Sequence, residues 1–200
     1  MLILRTLASS LVTRICLGSI MTLAFNAMAA GELPVGRAAG DMELSAFYRW
    51  QDPMPTVPGV LLRSETLKPQ ERVPAAAQTI RMLYSSTDQR WHSGQVPVSG
   101  TLFMPSGPAP SEGWPLLAWA HGTLGIADIC APSWTGFRAR DAAYINRWLE
   151  RGFAVVATDY QGLGGPGPHP YTVWQAEGSS VLDAVRAARA LKPGVIANRT

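Results

Sequence analysis

Residues 115–125 read Pro-Leu-Leu-Ala-Trp-Ala-His-Gly-Thr-Leu-Gly, which sets a histidine and two glycines at the end of a short apolar run. Such a run, opened by proline, reads as a buried strand, and glycine at its end lets the backbone turn sharply. A Gly-rich turn directly after a strand can aim backbone N–H groups at an oxygen that gains negative charge when an acyl group is attacked. Gly122 and Thr123 are the candidate donors, and His121 stands beside them. Read alone, the same residues also fit an ordinary strand-to-loop reversal. Acyl transfer needs a nucleophile as well, and the pattern that displays a serine for it, Gly-x-Ser-x-Gly, occurs nowhere in the 200 residues. The sequence holds half of such a site and no catalytic residue of it.

Other motifs weigh less. Gly162-Leu163-Gly164-Gly165-Pro166-Gly167 satisfies Gly-x-Gly-x-x-Gly formally. A dinucleotide site needs that loop to open straight into a helix. Pro166, Pro168 and Pro170 prevent this, so the loop reads as a rigid rim, through Gly162 and Gly164, beside a substrate cleft. Asp159 ends a strand where open α/β sheets bind ligands. It is expected at the same rim, holding backbone N–H groups of the 162–165 turn. His92, His121 and His169 have no metal-ligand spacing, so neither metal nor cofactor is assigned. Ser179, in Glu-Gly-Ser-Ser-Val, lacks the second glycine and the preceding strand of a nucleophile turn and reads as a helix cap.

The elements that must position these residues follow from periodicity. Residues 80–86 and 96–104 read as an antiparallel strand pair, with Val96, Val98, Leu102 and Met104 on one face. Residues 116–120 give a third, buried strand. A helix is expected over 142–151, with Asp141 as N-cap and Gly152 just past its end. Residues 153–158 form a further apolar strand, and a second helix runs from about Gly178 to Leu191, capped by Ser179 or Ser180. Val181, Val185 and Ala188 make its apolar face. The order β-β-β-α-β-α implies an α/β fold, with parallel pairing across the strand–helix–strand unit and an antiparallel edge.

Arg5 and Arg14 precede an uncharged apolar stretch, and Ala27-Met28-Ala29 supplies a small-x-small cleavage pattern. Residues 1–29 therefore read as a secretory signal peptide, too short in their apolar run for a membrane span. The product is expected to be exported, periplasmic or extracellular, with no integral span in the mature chain. Without Arg5 and Arg14, 15 basic residues face 14 acidic ones. No basic run remains that would mark a nucleic-acid partner. Cys16 leaves with the signal, so Cys130 is the one cysteine of the mature chain: a free thiol, an intermolecular bond or half of a disulfide. Residues 30–78, with Pro53, Pro55 and Pro58, read as an extended arm packed on a body that occupies 79–200.

Several blocks in order resemble the secretory lipase family of α/β-hydrolases. They are Val57-Pro58-Gly59 with Leu61-Leu62-Arg63-Ser64-Glu65, Tyr84-Ser85-Ser86-Thr87-Asp88, and Ala118-Trp119-Ala120-His121-Gly122-Thr123. Cys130-Ala131-Pro132-Ser133, the strand and loop of 152–164, and Glu177-Gly178-x-x-Val181-Leu182-Asp183 continue the series, so that 57–192 is covered. The resemblance implies an α/β-hydrolase fold and a lipase or esterase with a Ser-Asp-His triad. It also implies an oxyanion turn at Gly122-Thr123 with Thr123 as donor, and a later cysteine pairing with Cys130. In the family pattern the serine turn comes one strand after the 177–192 helix. The expectation is thus a chain that stops before its nucleophile, roughly 10 to 15 residues short for a strand of usual length. The partner so implied is an ester or lipid substrate. The competing reading is an exported, non-catalytic binding protein built on part of this fold.

Overall fold

A computed structural model describes residues 44–68 and 73–198. The signal-peptide reading of 1–29, and the first part of the arm, lie outside the described residues. Strands β1 (Leu61–Thr66), β2 (Gln78–Thr87), β3 (Gln95–Met104), β4 (Leu116–Trp119) and β5 (Ala154–Thr158) form one sheet. Their order across it is β1-β2-β3-β5-β4. Helices α1 (Pro132–Thr135), α2 (Ala139–Glu150) and α3 (Trp174–Leu191) cover its faces.

The expected hairpin is present, with β2 and β3 antiparallel in unbroken register from Gln78 opposite Met104 to Thr87 opposite Gln95. The period of two sends Ile80, Met82, Tyr84, Val96, Val98, Leu102 and Met104 to one face, where Ala184, Ala187 and Ala188 of α3 pack. Phe103, Val155 and Ala157 point the other way, onto Ile145 and Leu149 of α2. β5 is buried at all five positions because both its faces are covered. Gly100 makes its contact with β3 possible: a Cβ there would lie 2.5 Å from the Ala157 carbonyl oxygen.

Four expectations need correction. The order has a strand ahead of the predicted β-β-β-α-β-α: β1 pairs antiparallel with β2, so the sheet already begins inside the segment read as an arm. Its polar half, Arg63-Ser64-Glu65, suits a partly solvated edge and hides the strand from a search for apolar alternation. The strand at 116–120 is not buried. β4 pairs with β5 alone, in parallel, and is only half covered, with Ala118 exposed.

Asp141 does not cap α2. The helix opens three residues earlier, where the Arg138 carbonyl accepts from Asp141 N and Ala142 N, each at 2.9 Å. The buried Asp141 carboxylate then sits in the first turn, where the helix dipole favours it. α3 likewise begins at Trp174, leaving Ser179 and Ser180 inside it. Ser180 Oγ donates to the Ala176 carbonyl at 2.7 Å and accepts from Gln161 N at 3.2 Å. The buried face of α3 is Ala176, Ser180, Asp183, Ala184, Ala187 and Ala188, with Val181 and Val185 flanking it. Alanines let the helix lie close to the sheet, and the buried Asp183 accepts a 2.8 Å hydrogen bond from Ser86 of β2.

Candidate functional site

β4 and β5 run in parallel with Trp119 opposite Ala157, so the chain leaves both carboxyl ends side by side. Open α/β sheets bind ligands at that edge. His121 and Gly122 follow β4 there, and Tyr160 follows β5. The His121 ring is buried, 4.6 Å from the Tyr160 ring. His121 Nδ1 lies 2.9 Å from the Gly122 carbonyl oxygen and Nε2 lies 3.4 Å from the Asp159 carbonyl oxygen; a carbonyl only accepts, and the shorter contact assigns the donor N–H to Nδ1. The Tyr160 hydroxyl donates to the carbonyl oxygen of His121 at 3.0 Å. The N–H groups of Gly122 and Thr123, both exposed, have no hydrogen-bond partner among the described residues.

These residues border a cavity of about 170 Å³, closed by Tyr160, Leu163, His169, Tyr171 and Glu177. That is close to the roughly 150 Å³ that admits one benzene ring. Thr123 Oγ1 and the Tyr171 hydroxyl are 3.2 Å apart across its mouth. His169 Nδ1–H donates to the Gln161 carbonyl at 2.8 Å, which leaves Nε2 as an open acceptor. Burial pushes the His169 ring below its usual range, so it is neutral at pH 7. A larger cavity of about 340 Å³ lies against the middle of β2 and β3, walled by Arg81, Thr101, Phe103 and Trp134, and shares no residue with the turn.

The structure thus brings His121, Gly122 and Thr123 to one cavity and leaves Asp159, Gly162 and Gly164 outside its lining. Asp159 is fully buried, not at a cleft rim, and its partners are not in the 162–165 turn. Its Oδ1 accepts from Ser133 N at 2.9 Å, and its Oδ2 accepts from Ser99 Oγ at 2.5 Å and from Ser133 Oγ. Burial drives this carboxyl above its usual range, against the pull of those hydrogen bonds. Gly162 has φ 79°, and a Cβ there would meet the His169 backbone at 2.7 Å, so this glycine lets the loop fold back and seat His169. Gly164 packs on the Tyr48 ring.

Sequence reasoning missed Tyr160, Tyr171 and Glu177, and examined His169 only as a metal ligand. The available signal was position: Tyr160 lies two residues past the carboxyl end of β5. Among the described residues no three His, Cys, Asp or Glu side chains come close enough to hold a metal. No described helix is long and apolar enough to cross a membrane. Cys130 forms no disulfide among the described residues and is half-buried against Gly125.

The secretory lipase family model matches residues 132–198. No curated protein sequence matches the chain. Among solved structures, Candida antarctica lipase A in its closed state is 21% identical with a TM-score of 0.52, over 68% of this chain and 33% of that one. A ligand-bound form of the rice cell wall degrading esterase LipA from Xanthomonas oryzae is 26% identical over 68% of this chain and 38% of that one, with a TM-score of 0.49. The chain spans less than two fifths of the length of either. Residues 132–198 carry the secretory lipase pattern, and the chain is built on the α/β-hydrolase fold that this pattern implies.

Proposed function

We propose that this chain forms the oxyanion-binding part of an exported ester hydrolase that cleaves acylglycerols or related lipid esters through a serine acyl-enzyme. The observation that carries the reading is the Gly122–Thr123 turn: two successive N–H groups without a partner among the described residues, at the carboxyl end of β4, on the wall of a small cavity. The family match at 132–198 supports the reaction class, and the apolar leader of residues 1–29 supports export.

In the proposed reaction a serine Oγ attacks the ester carbonyl while a histidine takes its proton, and the carbonyl oxygen becomes an anion. Thr123 N–H, with the N–H after the serine, would stabilise that oxygen, each donor worth about 3–4 kcal/mol. The proton then passes to the departing alkoxide, and water releases the acid from the acyl-enzyme. The serine, acid and base are assigned to sequence following residue 200. Among the described residues, the hydroxyls of Ser99 and Ser133 are both committed to Asp159. Cys130 is assigned as one half of a disulfide with a later cysteine.

The test is hydrolysis of p-nitrophenyl esters and fluorophosphonate labelling, by the full-length gene product and by residues 30–200 alone. The full-length product is expected to react in both assays, and the 30–200 product in neither. Labelling of Ser179 or any other serine in the shorter product would overturn the assignment. An unreactive full-length product would favour a non-catalytic binding protein.

A further inference from the structure

We propose that Tyr160 is a positioning residue for the oxyanion turn: its hydroxyl fixes the His121–Gly122 peptide and its ring backs the His121 side chain that fixes the next one, so that the Gly122 and Thr123 N–H groups face the substrate side. The proposal rests on the reading of Gly122–Thr123 as the oxyanion site.

In a trans peptide the carbonyl of one residue and the N–H of the next point in opposite directions. All described peptides are trans. A donor that grips the His121 carbonyl therefore sets the direction of the Gly122 N–H, and Tyr160 is that donor, at 3.0 Å. The next peptide is fixed the same way. His121 Nδ1–H holds the Gly122 carbonyl at 2.9 Å, which sets the Thr123 N–H. The two rings lie against each other at 4.6 Å, so one aromatic pair orients two consecutive donors.

Tyr160 occupies this place at a cost. Its φ is +72°, a left-handed conformation that a tyrosine rarely adopts and that persists only where the surroundings over-determine it. The surroundings do so here. Tyr160 N donates to Thr158 Oγ1 at 3.0 Å, and Thr158 Oγ1 is itself 2.6 Å from the buried Tyr84 hydroxyl. On the far side the ring stacks on His169 at 6.2 Å. Two flanking elements thus hold the backbone turn that carries the phenol to His121. Burial, helped by the nearby Glu177 charge, pushes the phenol up to about 12, so it stays a donor throughout the range in which esters are assayed.

The test is Tyr160→Phe in the full-length gene product, which removes the oxygen and keeps both ring stacks. The expected result is a kcat lower by roughly 10- to 100-fold with KM within about twofold, the size of loss expected when a catalytic group is slightly misplaced. In the same protein labelled with 15N-glycine, the Gly122 amide resonance shifts. The control is Ser86→Ala, which also removes one buried hydroxyl hydrogen bond, to Asp183 at 2.8 Å on the α3 side of the sheet. It is expected to lower the melting temperature and leave kcat alone. Unchanged kcat with an unmoved Gly122 resonance in Tyr160→Phe overturns the proposal, and so does a kcat loss that Ser86→Ala matches at equal loss of melting temperature. If the parent protein hydrolyses no ester, the functional reading fails while the Gly122 resonance still decides whether Tyr160 sets the turn.

Discussion

Ser133 offers both its backbone N–H and its hydroxyl to the two oxygens of Asp159, a residue 26 positions away at the end of β5. The Tyr48 hydroxyl lies 2.8 Å from the same Ser133 Oγ. One buried carboxylate therefore joins the end of β5, the start of α1, Ser99 of β3 and the chain ahead of β1. Asp159→Ala leaves these donors unpaired in a buried place. The expected loss is about 3 kcal/mol, since each buried donor left without a partner costs roughly 1–3 kcal/mol. Urea unfolding checks this, and a midpoint within experimental error of the parent would show that Asp159 does not anchor the layer.

Asp88 yields a pH prediction. Burial raises its carboxyl, but Ser93 Oγ at 2.5 Å, Gln161 Nε2 at 2.6 Å and the Arg90 and Trp91 N–H groups outweigh burial, and the net shift is downward. A folded value below the unfolded one, about 3.9, means that the unfolded chain binds the proton more readily. This stabilisation is complete above the unfolded value and is lost as pH falls through the folded value. Urea midpoints between about pH 6 and pH 3 should decline less steeply in Asp88→Asn than in the parent. Parallel curves would remove Asp88 from the acid limb.

Two glycines should respond in opposite directions to alanine. Gly162 has φ 79° and the His169 backbone where a Cβ would go, so Gly162→Ala is expected to cost about 1–3 kcal/mol. Gly178 lies inside α3 with nothing within 4 Å of a Cβ. There alanine should stabilise by about 0.5–1 kcal/mol through helix propensity. Thermal melts of the two variants read the signs directly, and equal signs would contradict the backbone assignments.

Residues with a strong local pattern declared themselves in the sequence. The β2–β3 pair shows a period of two, β5 is a continuous apolar run, and Gly152 just past α2 has φ 78° as a helix-ending glycine should. β1 was hidden because an edge strand need not alternate, and Leu61-Leu62 followed by Arg63-Ser64-Glu65 looks like a loop approaching a turn. The start of α3 was misplaced because Ser179 and Ser180 have the chemistry of caps. Their use inside the helix depends on Gln161 and Gln89, far away in sequence.

The site divides along the same line. His121, Gly122 and Thr123 are contiguous and follow a recognisable strand, so their place was legible. The partners of Asp159 come from β3 and α1, and Tyr160 acts on a residue 39 positions before it. Contacts of that kind arise from the sheet order β3-β5-β4, which no local spacing encodes.

The Gly122–Thr123 turn has one defining property in this reading, that it receives an oxyanion. The most direct measurement is a crystal structure of the full-length gene product inactivated with a fluorophosphonate, whose phosphonyl oxygen stands where the tetrahedral oxyanion would. The account predicts that oxygen at about 2.7–3.1 Å from Thr123 N, with the inhibitor on a serine encoded after residue 200. An adduct whose phosphonyl oxygen is held by other donors, with Gly122 N and Thr123 N both out of hydrogen-bond range, would contradict it.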